Sequence, residues 1–192
     1  MRSFTWPGSD ATSDRVAALL PGTGYTVDRP VLYWCAELLV HQRWRVEAVE
    51  WTAAEANDSV GASLVEQALE LAFSGAVADA DRLVVAKSFG AAALPWAVTS
   101  GVPGIWLTPV LLDHAVREAL AAAPATHLAI GGERDDLWAP AAALVTDATL
   151  VTVPGADHRL EVDGDWQASL ARQADIFAHV SAWVAELGER SA

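Results

Sequence analysis

Val84-Val85-Ala86-Lys87-Ser88-Phe89-Gly90-Ala91 runs an apolar strand directly into a serine, then into small residues and a helix. Ser88 therefore falls on a tight strand-to-helix turn, with its hydroxyl lifted above the strand ends. Ala86 and Gly90, two before and two after, leave space for that turn. The amides that open the following helix favour negative charge at the same point. Serine is also an ordinary helix cap, so this segment alone leaves a nucleophile and a cap both open.

The same unit, a short apolar strand followed by a loop and a helix, recurs along the chain. Strands are expected at 14–20, 43–50, 82–87, 104–108, 127–131 and 149–153. Helices are expected at 30–41, 58–73, 89–98, 111–122, 137–144 and about 164–187. Several strands are apolar on both faces, as parallel strands covered by helices on each side are. Strand 43–50 alternates instead, with Trp44, Val46 and Ala48 against Arg45, Glu47 and Val49, and reads as an edge. Residues 2–6 are candidates for a short additional edge strand. Pro30 fits the first turn of its helix with Asp28 as a cap, and Val31, Trp34, Cys35 and Leu38 as the apolar stripe. Asp58 is placed to cap the second helix, with Val60, Leu64, Ala68 and Leu71 on its inner side. Leu170, Ile176, Phe177, Val180, Trp183, Val184 and Leu187 form the inner side of the last helix, which Gly188 is expected to stop. Such alternation makes an α/β protein with a mostly parallel sheet, and residues 1–192 read as a single domain.

The composition excludes several classes. Twelve Lys and Arg against 25 Asp and Glu leave a net charge of −13, which repels nucleic acid and anionic membrane surfaces. Hydrophobic types make up 53%, too many for a disordered chain. The lone Cys35 permits no internal disulfide and reads as core. The histidines show no metal-ligand spacing, so neither a metal nor a cofactor is expected. Residues 88–112 carry no charge, but Pro95, Pro103, Pro109, Gly101 and Gly104 break them into soluble core elements. The opening Met1–Pro7 lacks the apolar run of a secretory leader, and the expectation is cytoplasmic.

Ligands in parallel sheets bind beyond the carboxyl ends of the strands. Two more such ends carry chemistry. Gly131-Gly132-Glu133-Arg134-Asp135-Asp136 supplies a carboxylate after a strand; Asp135 is preferred, with Asp136 and Glu133 as alternatives. Pro154-Gly155-Ala156-Asp157-His158 supplies an imidazole after the last strand. A serine hydroxyl needs a base as it attacks, and the base needs a carboxylate on its other nitrogen. Ser88, Asp135 and His158 meet those needs on one rim. Donors for a developing oxyanion are expected from the Phe89 amide and from Pro21-Gly22-Thr23-Gly24, with Thr23 preferred over Gly24. The third glycine of a dinucleotide loop and the Lys-Ser/Thr pair of a phosphate loop are both absent, so a nucleotide site is a poor second.

These motifs resemble the α/β-hydrolase superfamily, near its compact dienelactone-hydrolase-like and esterase branches. Ala86-Lys87-Ser88-Phe89-Gly90 is similar to that family's Gly-x-Ser-x-Gly turn, with alanine for the first glycine. The resemblance implies a three-layer α/β/α sandwich, a six-stranded sheet in the order 2-1-3-4-5-6, and no lid domain at this length. It implies a serine hydrolase acting on an ester or thioester of a small acyl group, with Ser88, His158 and Asp135 as its catalytic residues. Tyr25 and Phe89 adjoin the oxyanion donors, Thr108 and Pro109 end the strand beside the serine, and Trp138 is placed to wall the pocket. Tyr25, Thr108, Pro109 and Trp138 are thus the substrate-binding candidates. Trp44, Trp106 and Trp183 read as core. Lys87 either steers an anionic substrate or pairs with an acid such as Asp113, the pairing preferred. Rival readings are a binding or scaffold protein that keeps the fold without turnover, and an acyltransferase. A small-molecule substrate is the expected partner, and the edge at 43–50 is compatible with a homodimer.

Overall fold

The computed structural model describes residues 1–58 and 61–190, the side chains of Asp58, Glu189 and Arg190 excepted. Its strands are β1 (Arg2–Thr5), β2 (Arg15–Leu20), β3 (Arg45–Glu50), β4 (Asp81–Lys87), β5 (Gly104–Leu107), β6 (His127–Gly132) and β7 (Thr149–Val153). They form one seven-stranded sheet in the order β1-β3-β2-β4-β5-β6-β7. From β3 to β7 every pairing is parallel. The six-strand order expected from the resemblance is present within this sheet, with one strand more.

The extra strand corrects the reading of 43–50 as an edge. β1 pairs antiparallel with β3, Arg2 opposite Glu50 and Thr5 opposite Glu47. The polar residues of β3 meet this ladder: Arg2 forms an ion pair with Glu50, and Thr5 Oγ1 hydrogen-bonds Glu47 at 3.1 Å. The chain itself therefore covers the edge that was compatible with a homodimer.

Consecutive residues of the central strands go to opposite faces, and both faces are apolar. Val16, Ala18, Leu20, Val84, Ala86 and Trp106 pack on one side, against α3 (Gly61–Phe73), α4 (Leu94–Ser100) and α5 (His114–Ala121). Ala17, Leu19, Leu83, Val85, Ile105 and Leu107 pack on the other, against α1 (Pro30–His41) and α6 (Trp166–Arg190). Besides loops, the connections among the described residues hold only the helices named, α2 (Ala53–Asp58) and two short 3₁₀ turns, so no lid domain is inserted. No described helix is long and apolar enough to cross a membrane.

Several helix details differ from expectation, each for a local reason. Asp28 does not cap α1; it accepts from the Thr26 hydroxyl, and the Tyr25 hydroxyl accepts from the Val31 amide at 3.1 Å instead. Trp34 is 52% exposed, because Val31, Leu32, Cys35, Ala36 and Leu39 form the inner face. The helix expected over 58–73 is present as α3, described from Gly61, and a further helix, α2, precedes it. Thr52 and Glu55 form a reciprocal capping box that starts α2: the Thr52 amide donates to Glu55 Oε2 at 2.7 Å, and the Glu55 amide donates to Thr52 Oγ1 at 3.2 Å. The capping role of the Asp58 side chain and the placement of Val60 lie outside the described residues. Leu71 and Leu170 are exposed rather than inward. Gly188 lies inside α6 instead of stopping it. The segment 89–98 begins as a 3₁₀ turn, Ser88–Ala93, and becomes α-helical only at Leu94, because Pro95 lacks an amide and is tolerated in a first turn. The helix expected at 137–144 is likewise a 3₁₀ turn, Ala139–Ala143, with Pro140 in its first turn.

At the opposite end of the sheet His127 is buried, and its Nδ1 accepts from Trp106 Nε1 at 3.1 Å. Burial pushes its pKa down to about 4. An unfolded chain protonates this histidine below about pH 6.5 while the fold keeps it neutral, so stability falls as the pH drops from 6.5 towards 4. The loss attributable to this group is about 3 kcal/mol. Urea unfolding at pH 7 and pH 4.5 checks this, and His127→Gln should flatten the difference.

Candidate active site

Ser88 follows the last residue of β4 with φ +52°, in the left-handed region that a serine rarely adopts. That twist turns the side chain out of the strand and up from the rim. Gly90 permits the turn to sit tightly: a Cβ there would stand 2.7 Å from the Pro21 carbonyl oxygen. The loop after β2 is thus drawn against the serine.

The carboxylate comes from the turn after β6. The Asp135 amide donates to the Gly132 carbonyl at 3.1 Å, and its Oδ1 accepts from the Leu137 amide at 3.0 Å. Asp135 is 4% exposed. Asp136 is exposed, and Glu133 accepts from the Gly155 amide at 2.8 Å, so neither alternative acid takes its place. Gly132 decides how close the two acid- and histidine-bearing loops come. A Cβ at Gly132 would stand 2.2 Å from the Ala156 carbonyl oxygen, so only hydrogen fits between β6 and the loop after β7.

That loop presents His158 between two anchors. Asp157 Oδ1 accepts from the Arg159 and Glu161 amides at 2.8 and 3.0 Å, and Leu160 is fully buried. His158 Nδ1 lies 2.7 Å from Asp135 Oδ2, and Nε2 lies 2.8 Å from Ser88 Oγ. An ionised carboxylate only accepts, so Nδ1 carries the proton and Nε2 accepts from the serine hydroxyl. The three residues anticipated from the strand ends are thus hydrogen-bonded in series.

Beside Ser88 lies a cavity of about 430 Å³ whose lining includes Thr23, Phe89, Ala92, Val110 and Val116. Its wall is apolar except for Thr23, Ser88 and Asp113, and Asp113 accepts from the Ala115 and Val116 amides at the start of α5. The Thr23 and Gly24 amides donate to no backbone carbonyl among the described residues. Thr23 faces this cavity, whereas Gly24 lines a separate one of about 760 Å³ across the loop. The Phe89 amide lies in the first turn after Ser88, where helical amides lack internal partners. Trp51, which sequence reasoning missed, orders both donor segments. Its Nε1 donates to the Gly22 carbonyl at 3.3 Å, and its ring meets Phe89 edge-on at 5.7 Å. Its position directly after β3 was the available signal.

The four substrate-binding candidates do not line the cavity. Trp138 is 2% exposed, held inward because its indole N–H donates to Thr152 Oγ1 at 3.0 Å. Tyr25 spends its hydroxyl on the start of α1. Thr108 is fully buried and accepts from Lys87, and Pro109 is buried beside it, leaving Val110 to reach the cavity. Lys87 is not paired with Asp113 and does not face the cavity; it is 1% exposed beneath the histidine loop.

No protein-family model and no curated protein sequence matches the chain. Solved structures do. An alpha-beta serine hydrolase homologue from Coxiella burnetii superposes with a TM-score of 0.63 at 16% identity, covering 94% of this chain and 88% of that one. A lidless α/β serine hydrolase from Xanthomonas campestris gives 0.63 at 14% identity, with 97% and 95% covered. A dienelactone hydrolase from Anabaena variabilis gives 0.67 at 18% identity, with 93% and 88% covered. At identities this low the likeness speaks for architecture: the chain has the α/β-hydrolase fold.

Proposed function

We propose that the protein is a serine hydrolase that cleaves an ester or thioester of a small acyl group through an acyl-enzyme. The observation that carries the reading is the unbroken series Asp135–His158–Ser88, at 2.7 and 2.8 Å, opening on an apolar cavity. Hydrolases with the same fold support it.

Ser88 Oγ attacks the carbonyl carbon as His158 Nε2 takes its proton, and the Asp135 carboxylate steadies the imidazolium. The amides of Thr23 and Phe89 donate to the oxyanion. The C–O or C–S bond to the leaving group breaks, and His158 returns the proton to the departing alcohol or thiol. Water then attacks the acyl-serine with His158 again as base, releasing the acid and restoring Ser88. No lid domain covers this apolar cavity of about 430 Å³, which suits short acyl groups over long buried ones.

A fluorophosphonate probe should label Ser88, and kcat/KM across p-nitrophenyl and thioester substrates should be highest for the shortest acyl chains. A chain that is neither labelled nor active on any of them refutes the reading. Adding alcohols or amines as competing acceptors separates hydrolysis from acyl transfer by product analysis.

A further inference from the structure

Lys87 ends β4 on the face occupied by Leu83 and Val85, where an apolar residue would bury without cost. Its ammonium is instead spread over three loops. Nζ donates to Thr108 Oγ1 at 2.6 Å after β5 and to the backbone carbonyl of His158 at 2.8 Å after β7. It also stands 4.7 Å from the centre of the Tyr25 ring after β2. The fourth strand end, carrying Asp135, acts on it through charge, as do Asp157 and Glu161 of the histidine loop. Tyr25 brings no charge, since burial pushes its hydroxyl up to about 12.

We propose that Lys87 is the positioning residue of this site, its buried ammonium holding the backbone of His158 where the imidazole spans Asp135 and Ser88. Lys87 is bonded in the chain to Ser88, so the tie joins the nucleophile's strand to the base's loop without using either reacting side chain. A charge-assisted donor makes that tie roughly twice as strong as a neutral one. The inference rests on the hydrolase reading for its effect on turnover, but the hold on His158 is measurable without turnover.

Burial lowers the Lys87 pKa from 10.5 to about 8, against the pull of Asp135, Asp157 and Glu161. Between those values the unfolded chain binds more proton than the fold, so this group's contribution to stability rises with pH. The neutral amine keeps two N–H donors but loses the charge. Activity should therefore fall through a limb centred near pH 8 while the thermal midpoint does not fall, which separates a weakened tie from unfolding.

The test compares the parent protein with Lys87→Met, using kcat against pH and the downfield NMR resonance of the His158 Nδ1 proton. Expected are a kcat lower by about 10- to 100-fold with KM little changed, loss of the alkaline limb, and a broadened Nδ1 resonance. Parent-like kcat with an unchanged limb, or an unchanged resonance, overturns the proposal. Should the methionine variant fail to fold, Lys87→Gln decides, since it keeps a donor and removes only the charge. A fall in kcat with a broadened Nδ1 resonance supports the tie, and parent-like kcat and resonance overturn it. Should no ester be turned over, the hydrolase reading fails by itself, and the resonance still reports whether Lys87 holds His158.

Discussion

Ser88→Ala is expected to lower kcat by about 10⁴-fold or more, abolish labelling by the fluorophosphonate probe, and leave the protein folded. The acyl-enzyme route has no other oxygen to take the place of Oγ, so the loss is of the chemical step and not of binding. Stability should change little. Serine and alanine bear the same strain at φ +52°, and the lost hydrogen bond to His158 Nε2 is worth about 1 kcal/mol. Steady-state kinetics with the best ester, read beside thermal unfolding, check both halves. Turnover within tenfold of the parent would mean that the hydrolysis takes place elsewhere.

Asp135→Asn should cost about as much, on the order of 10⁴-fold, while KM stays near the parent value. The substitution is close in shape, and the amide oxygen can still accept from Leu137, so the turn after β6 is retained. What disappears is a buried anion 2.7 Å from Nδ1. Without it the imidazole has no fixed tautomer, and the positive ring formed during attack has no counter-charge. Probe labelling should slow in parallel with turnover, because both require Ser88 to lose its proton to His158. A variant labelled at the parent rate would remove Asp135 from the mechanism, and Asp136→Asn serves as the exposed control.

The parts of this fold that are legible in the sequence are those with local chemical causes. Strands apolar on both faces, such as Leu83–Ala86, announce a covered parallel sheet, and Ser88 between Ala86 and Gly90 announces the sharp turn. Histidine and aspartate, each common on surfaces, became informative only as successive strand ends. What escaped depended on distant partners. A strand at 2–6 was anticipated, but that it makes β3 an interior strand shows only in the pairing of Arg2 with Glu50 and Thr5 with Glu47. Trp138 turned inward because Thr152, on β7, offered an acceptor. Lys87 was the hardest to foresee. A lysine is expected at the surface, and only three loops converging on one point make its burial tolerable. The capping box at Thr52 and Glu55 was legible and overlooked, since its spacing alone marks a helix start.

Ser88 and His158 lie far apart in the chain, and β7, which brings the histidine loop to the rim, is held to the sheet through β6 alone. The hydrogen-bonded series therefore cannot close on a growing polypeptide before β7 has been made and has docked, however early β4 and Ser88 are in place. Contacts of such long sequence separation form slowly.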